Sequence, residues 1–301
     1  MPEQEHTGLT GILVPVVTPF DPETGECAPV SFRENIRKWL ARPIDGIVVF
    51  GSTGEGVLLD DDEKERLLGY ARELVPATKP LVAGAGADST RATIRQVKRL
   101  AAAGADAVLV HSPPYFAASL TPAALREHYV AIADASPIPV ILYHIPKFMH
   151  QVFEPGLVGE LSRHPNIVGL KDSSGDLKRF AEYADQCGED FRLFIGSGAN
   201  LYTALELGAT GGIVALGLLA PEECSQIVEH YRRGESRKAG EIQERIAPVH
   251  REIVAKYGAA GVKAALEVLG FAGGPPRRPL QPLGPRQKEE VARVLQEAGL
   301  V

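Results

Sequence analysis

The chain lacks the features that would place it in several broad classes. Its 301 residues hold only three cysteines, Cys27, Cys187 and Cys224, spread too widely for a metal-ligand pattern. So sparse and odd a count suits a reducing compartment, and a cytoplasmic location is expected. No basic block is present and the formal net charge is −6, so nucleic acid is not an expected partner. No run approaches the roughly eighteen uninterrupted apolar residues of a membrane span, and no membrane partner is expected. Met1 to Thr10 is polar and carries no apolar stretch of the signal-peptide kind, so none is expected. A dinucleotide fingerprint, GxGxxG directly after the first apolar run, is missing; that run ends Val17-Thr18-Pro19-Phe20. No cluster of ligating side chains stands out, so neither a metal nor a cofactor is expected. His144 and His150 read as packing or loop residues.

What is present is apolar and periodic. Hydrophobic residues make up 45% of the chain, enough for a sizeable core. Eight short apolar runs recur: Ile12–Val17, Gly46–Phe50, Pro80–Gly84, Ala107–Val110, Pro139–Tyr143, Ile167–Lys171, Arg192–Gly196 and Gly211–Leu216. Stretches with helical spacing separate most of them. Asp60–Leu74 is one; Thr90–Ala103 is another, stopped by Gly104; Thr121-Pro122 opens a third with a cap and a first-turn proline. Near-continuous apolar strands alternating with helices indicate a parallel sheet covered by helices. Eight units indicate an α/β fold of the (β/α)₈ TIM-barrel type. Beyond Leu216, helices are expected over Pro221–Tyr231, Ser236–Lys256, Gly261–Leu269 and Gln287–Glu297, with Gly273–Pro285 irregular. The expected division is a catalytic barrel over 1–230 and a small C-terminal helical extension over 231–301.

In such a barrel, chemistry gathers where strands end. One strand ends in Tyr143 and the next in Lys171, within Asn166-Ile167-Val168-Gly169-Leu170-Lys171-Asp172. An amine must be neutral to attack a carbonyl, and desolvation at the mouth of an apolar barrel disfavours its charged form. A lysine beside a tyrosine able to move protons suits Schiff-base chemistry. The second strand ends Gly51-Ser52-Thr53-Gly54-Glu55, a turn whose amides and hydroxyls can cradle a carboxylate.

Four segments carry a resemblance: Gly51-Ser52-Thr53-Gly54-Glu55, Ser112-Pro113-Pro114-Tyr115, Tyr143-His144-Ile145-Pro146 and Gly169-Leu170-Lys171-Asp172. Together, in this order, they resemble the pyruvate-type class I aldolases that include dihydrodipicolinate synthase and N-acetylneuraminate lyase, over about Gly11 to Leu269. The resemblance implies a barrel with a helical extension, assembled as a homotetramer built as a dimer of dimers. It implies Lys171 as the Schiff-base lysine and Tyr143 as the proton shuttle. Thr53 would link Tyr143 to Tyr115, which is donated across a subunit interface. Ser52 and Thr53 would hold the pyruvyl carboxylate, and Gly196 and Ile213 would line the pocket.

Departures from the family pattern bear on the substrate. Synthase members carry an arginine five residues after the tyrosine; here that position is Phe148, between Lys147 and Met149. The acidic residues of sialic-acid members are missing from Gly196-Ser197-Gly198-Ala199-Asn200. Lys171-Asp172-Ser173-Ser174-Gly175-Asp176 resembles the 4-hydroxy-2-oxoglutarate aldolases, in which a serine at the Ser173 position helps bind a second carboxylate. Cleavage of a short 4-hydroxy-2-oxo acid to pyruvate and an aldehyde such as glyoxylate is therefore the first expectation. The alternatives are condensation of pyruvate with aspartate semialdehyde, dehydration of a sugar-derived 2-oxo acid, and a non-catalytic barrel used for regulation or assembly.

Overall fold

The computed structural model describes residues 8–301. Eight parallel strands close into a barrel in simple sequential order. They are β1 (Gly11–Pro15), β2 (Gly46–Val49), β3 (Leu81–Ala85), β4 (Ala107–His111), β5 (Val140–His144), β6 (Ile167–Asp172), β7 (Arg192–Ile195) and β8 (Gly211–Ile213). The helices between them are α1 (Pro29–Leu40), α2 (Asp61–Leu74), α3 (Thr90–Ala102), α4 (Pro122–Ala135), the short α5 (Pro146–Met149), α6 (Pro155–Leu161), α7 (Leu177–Gln186) and α8 (Leu201–Glu206). After β8 come α9 (Leu216–Leu219), α10 (Pro221–Arg232), α11 (Ser236–Val249), α12 (Lys256–Val268) and α13 (Pro285–Glu297). No helix among the described residues is long and apolar enough to cross a membrane.

Local chemistry sets the helix starts. Asp60 caps α2 in a reciprocal capping box with Glu63, Ser89 caps α3, and Thr121 caps α4 ahead of Pro122. The core has two layers. One fills the barrel with inward side chains such as Leu13, Val48, Val82, Leu109, Ile141, Phe194 and Ile213. The other lies between strands and helices and contains Leu170. Tyr143 belongs to the inner layer, at its upper end.

One irregularity decides which side chains reach that end. Val140 pairs with Ile167, but Ile141 pairs with Gly169, so Val168 is an extra residue on β6. Such a bulge re-aims every side chain beyond it. Tyr143 consequently sits opposite Lys171, and His144 opposite Asp172. Without the bulge, the Val140–Ile167 offset would bring Leu170 opposite Tyr143.

The region after α10 differs from expectation in one respect. The helix expected over Ser236–Lys256 is interrupted by a π-helical turn, His250–Ala255, and α12 bends at Gly258. Pro248 inside α11 supplies the reason, because it has no N–H for the helical ladder. The expected β8 run to Leu216 is likewise shorter, since Leu216 begins α9. The extension docks firmly on the barrel. Trp39 stacks on Phe271 at 5.0 Å, and the Asn35 side chain exchanges two hydrogen bonds with the backbone of Ala272.

Candidate active site

A cavity of about 340 Å³ opens at the C-terminal ends of the strands. Lys171, Tyr143, Ser52, Thr53, Ser173, Gly196 and Ile213 all line it, so the barrel gathers seven of the eight candidate residues. Its roof comes from the extension, through His250, Val254, Ala255, Gly258, Ala259 and Val262. Residues on both sides of the expected 230/231 division therefore build one site.

Lys171 is 4% exposed, and its Nζ lies 4.3 Å from the centre of the Tyr143 ring. It forms no ion pair among the described residues. An amine held this way is short of polar partners and faces the cavity. The Tyr143 hydroxyl lies 3.2 Å from Ser52 Oγ. That contact corrects the expected link through Thr53: Ser52, not Thr53, is the hydroxyl bonded to Tyr143. Thr53 remains on the cavity wall.

The cradle is built from strained backbone. Phe50 and Glu55 both adopt positive φ, 59° and 56°. A bulky residue there is a genuine outlier and needs support from its surroundings. Gly56 and Gly84 give that support by close approach: a Cβ on either would come within 2.0 or 2.2 Å of the Phe50 carbonyl oxygen. The backbone N–H groups of Ser52 and Thr53 donate to no other group among the described residues, which leaves two free donors at the turn.

Glu55 itself is buried and reaches into the extension. Lys263 Nζ lies 2.5 Å from Glu55 Oε1 and donates to the Pro275 carbonyl, while the Arg277 N–H donates to Glu55 Oε2. Burial pushes the Lys263 ammonium below its ordinary pKa, and the Glu55 carboxylate partly offsets this. The Arg277 guanidinium forks onto both Glu63 oxygens at 2.6 Å, and Glu63 is held at about 2 by that contact. Nothing in the spacing of the sequence signals this long-range cluster.

Behind the strands lies a second polar group. His144 Nε2 accepts the Phe153 N–H, so its proton sits on Nδ1 and is donated to Asp172 Oδ1 at 2.7 Å. Ser174 donates to both Asp172 oxygens through its N–H and hydroxyl. His144 is thus buried, as its reading as a packing residue implies, but in a network that fixes the loop after Lys171. Among the described residues no three His, Cys, Asp or Glu side chains gather to hold a metal ion.

The substrate-end residues sort differently. Lys147 and Phe148 both line the cavity, whereas Met149 turns into the barrel interior. The Lys147 ammonium is exposed at the rim and donates to the Ala255 carbonyl at 3.1 Å. Gly196 leaves room for the Ser173 hydroxyl: a Cβ there would meet Ser173 Oγ at 2.0 Å and force it to move. Tyr115 is the exception among the candidates. It is 79% exposed, packs edge-on against the exposed Phe116, and does not line the cavity of its own chain.

This geometry has counterparts. A sequence model of the Dihydrodipicolinate synthetase family matches residues 8–298. The chain belongs to this family. Among curated relatives, the 4-hydroxy-tetrahydrodipicolinate synthase of Methanoculleus marisnigri is 34% identical over 96% of this chain and 99% of its own. That of an Exiguobacterium species is 33% identical over 96% and 98%. The crystal structure of the dihydrodipicolinate synthase of Acinetobacter baumannii complexed with pyruvate superposes with a TM-score of 0.92, at 29% identity over 97% of this chain and 100% of that one. Membership of the dihydrodipicolinate synthetase family makes the chain an enzyme, a pyruvate-dependent carbon–carbon lyase on a TIM barrel. These relatives carry the synthase name, not the 4-hydroxy-2-oxoglutarate aldolase name that the Lys171–Asp176 segment suggested.

Proposed function

We propose that the enzyme joins pyruvate to a short aldehyde bearing a carboxylate, aspartate semialdehyde before others, in the manner of a 4-hydroxy-tetrahydrodipicolinate synthase. The observation that carries this reading is Lys147, which brings a cation to the same cavity as Lys171 although the expected arginine position is Phe148. The names of the curated relatives support it. Lys171 Nζ attacks C2 of pyruvate and water leaves, giving a protonated imine. Loss of a C3 proton gives an enamine, and C3 then bonds to the aldehyde carbon. Tyr143 delivers a proton to the forming alkoxide and is reprotonated through Ser52. Ser52 and Thr53 hold the pyruvyl carboxylate through their amides and hydroxyls.

Cleavage of 4-hydroxy-2-oxoglutarate is the second reading, favoured by Ser173 on the cavity wall and by an apolar Phe148. It runs through the same imine in the opposite direction. Parallel steady-state assays separate the two: higher catalytic efficiency with pyruvate plus aspartate semialdehyde is expected, and higher efficiency in releasing pyruvate from 4-hydroxy-2-oxoglutarate would reverse the order.

Tyr143→Phe removes one hydroxyl and keeps the ring that packs beside Lys171. Turnover is expected to fall by ~10²–10⁴-fold, the range for a positioned proton-transfer group, with pyruvate still trapped on Lys171. An unchanged kcat would remove Tyr143 from the proton path.

The homotetramer is part of the proposal, because an exposed Tyr115–Phe116 pair suits a contact between copies and can serve a neighbour's cavity. Complementation tests it. Lys171→Ala chains and Tyr115→Phe chains, each impaired alone, are expected to regain activity when co-assembled, since one site per mixed pair then holds both intact groups. Co-assembly without recovery would show that Tyr115 does not serve the neighbour's cavity.

A further inference from the structure

The roof of the cavity contains a group that the imine chemistry leaves unused. His250 opens the π-helical turn and stands against the loop that follows β7. Its Nδ1 accepts the Gly198 N–H at 3.3 Å, and its Nε2 lies 3.3 Å from Ser197 Oγ. An imidazole nitrogen that accepts an N–H carries no proton, so in the neutral ring the proton sits on Nε2. Burial, with a smaller contribution from Arg251, pushes this histidine down to about 4, and the ring is neutral near pH 7. Nε2–H therefore donates to Ser197 Oγ. A hydroxyl that accepts one hydrogen bond still has its own proton to give. No acceptor within the chain takes the Ser197 proton among the described residues, and Ser197 faces the cavity that Lys147 borders.

We infer that Ser197, oriented by His250, is a specificity-determining donor for the carboxylate of the second reactant, acting with Lys147. His250 is a positioning residue here, and Ser197 the group that touches the ligand. The inference rests on the proposed condensation with a carboxylated aldehyde. It adds a feature that the strand-end motifs do not contain, because half of the pair comes from the extension.

Succinate and its uncharged diamide, succinamide, are suitable probes, since neither can react. Each is titrated by calorimetry into the full-length enzyme, before and after pyruvate has been reduced onto Lys171 with borohydride. Succinate is expected to bind the wild type more tightly than succinamide. Ser197→Ala and His250→Leu are each expected to weaken succinate binding by about 10- to 100-fold, as for a lost hydrogen bond to a charged group, with little change for succinamide. The double variant should be no worse than either single one. His250→Gln, which keeps an N–H donor at the ε position, should recover most of the loss. Equal weakening of both probes, no weakening, no succinate binding by the wild type, or no recovery with glutamine would each overturn the inference. Failure of the wild type to trap pyruvate is a separate result: it defeats the proposed function, while the succinate titration of unmodified enzyme still decides the role of Ser197.

Discussion

Borohydride added to the enzyme with pyruvate is expected to fix a pyruvyl adduct on Lys171, and Lys171→Ala is expected to lose both the adduct and turnover. Two lysines line the cavity, so the choice between them is a physical one. Lys147 is exposed and hydrogen-bonded to the Ala255 carbonyl, away from the barrel axis. Lys171 is buried over the Tyr143 ring, close to the Ser52–Thr53 turn whose free amides suit the pyruvyl carboxylate. An electrophile held by that turn meets Lys171 first. Removing a covalent nucleophile leaves only binding and orientation, so the loss of kcat should be at least about 10³-fold. Peptide mass analysis locates the label. Label on Lys147, or trapping that survives Lys171→Ala unchanged, would sink the assignment.

The second large effect is expected far from the reacting atoms. Lys263→Met removes one partner of an ion pair in which both side chains are about 1% exposed. A carboxylate left buried without its cation costs about 3–5 kcal/mol, whereas replacing both partners is far less harmful. Urea unfolding of Lys263→Met should therefore show a loss of that size, and the Glu55→Gln/Lys263→Met double variant should recover most of it. Activity should follow in the same direction, because Glu55 closes the turn that carries Ser52 and Thr53 with a positive φ of its own. Similar losses in the single and double variants would show that the two side chains are not coupled.

The barrel was legible because its signals are local. Apolar runs of strand length, caps such as Thr121, and the stop at Gly104 each depend on a few neighbouring residues. The same holds for the placement of Lys171 and Tyr143, which close adjacent strands. The link from Tyr143 to Ser52 instead of Thr53 was not legible, since neighbouring hydroxyls on a turn differ only in the direction the backbone gives them. His250 and Lys263 were hidden for a different reason. Their partners lie some fifty and two hundred residues away (Ser197 and Glu55), and helical periodicity says nothing about what a helix end covers. The interruption at His250 did have a sequence cue in Pro248, a residue that could not complete the helical ladder.

The unpaired Val168 on β6 has a consequence for anyone who exchanges parts between barrels of this kind. A donor strand of the same length that paired regularly from Val140–Ile167 upward, with no bulge, would still pack and still close the sheet. It would point its amine into the helical jacket and leave a leucine facing Tyr143. The face that the strand's tip presents depends on whether the extra backbone unit is absorbed in a bulge or enters the ladder. Chimeras should be aligned from the lysine downward, not from the start of the strand upward.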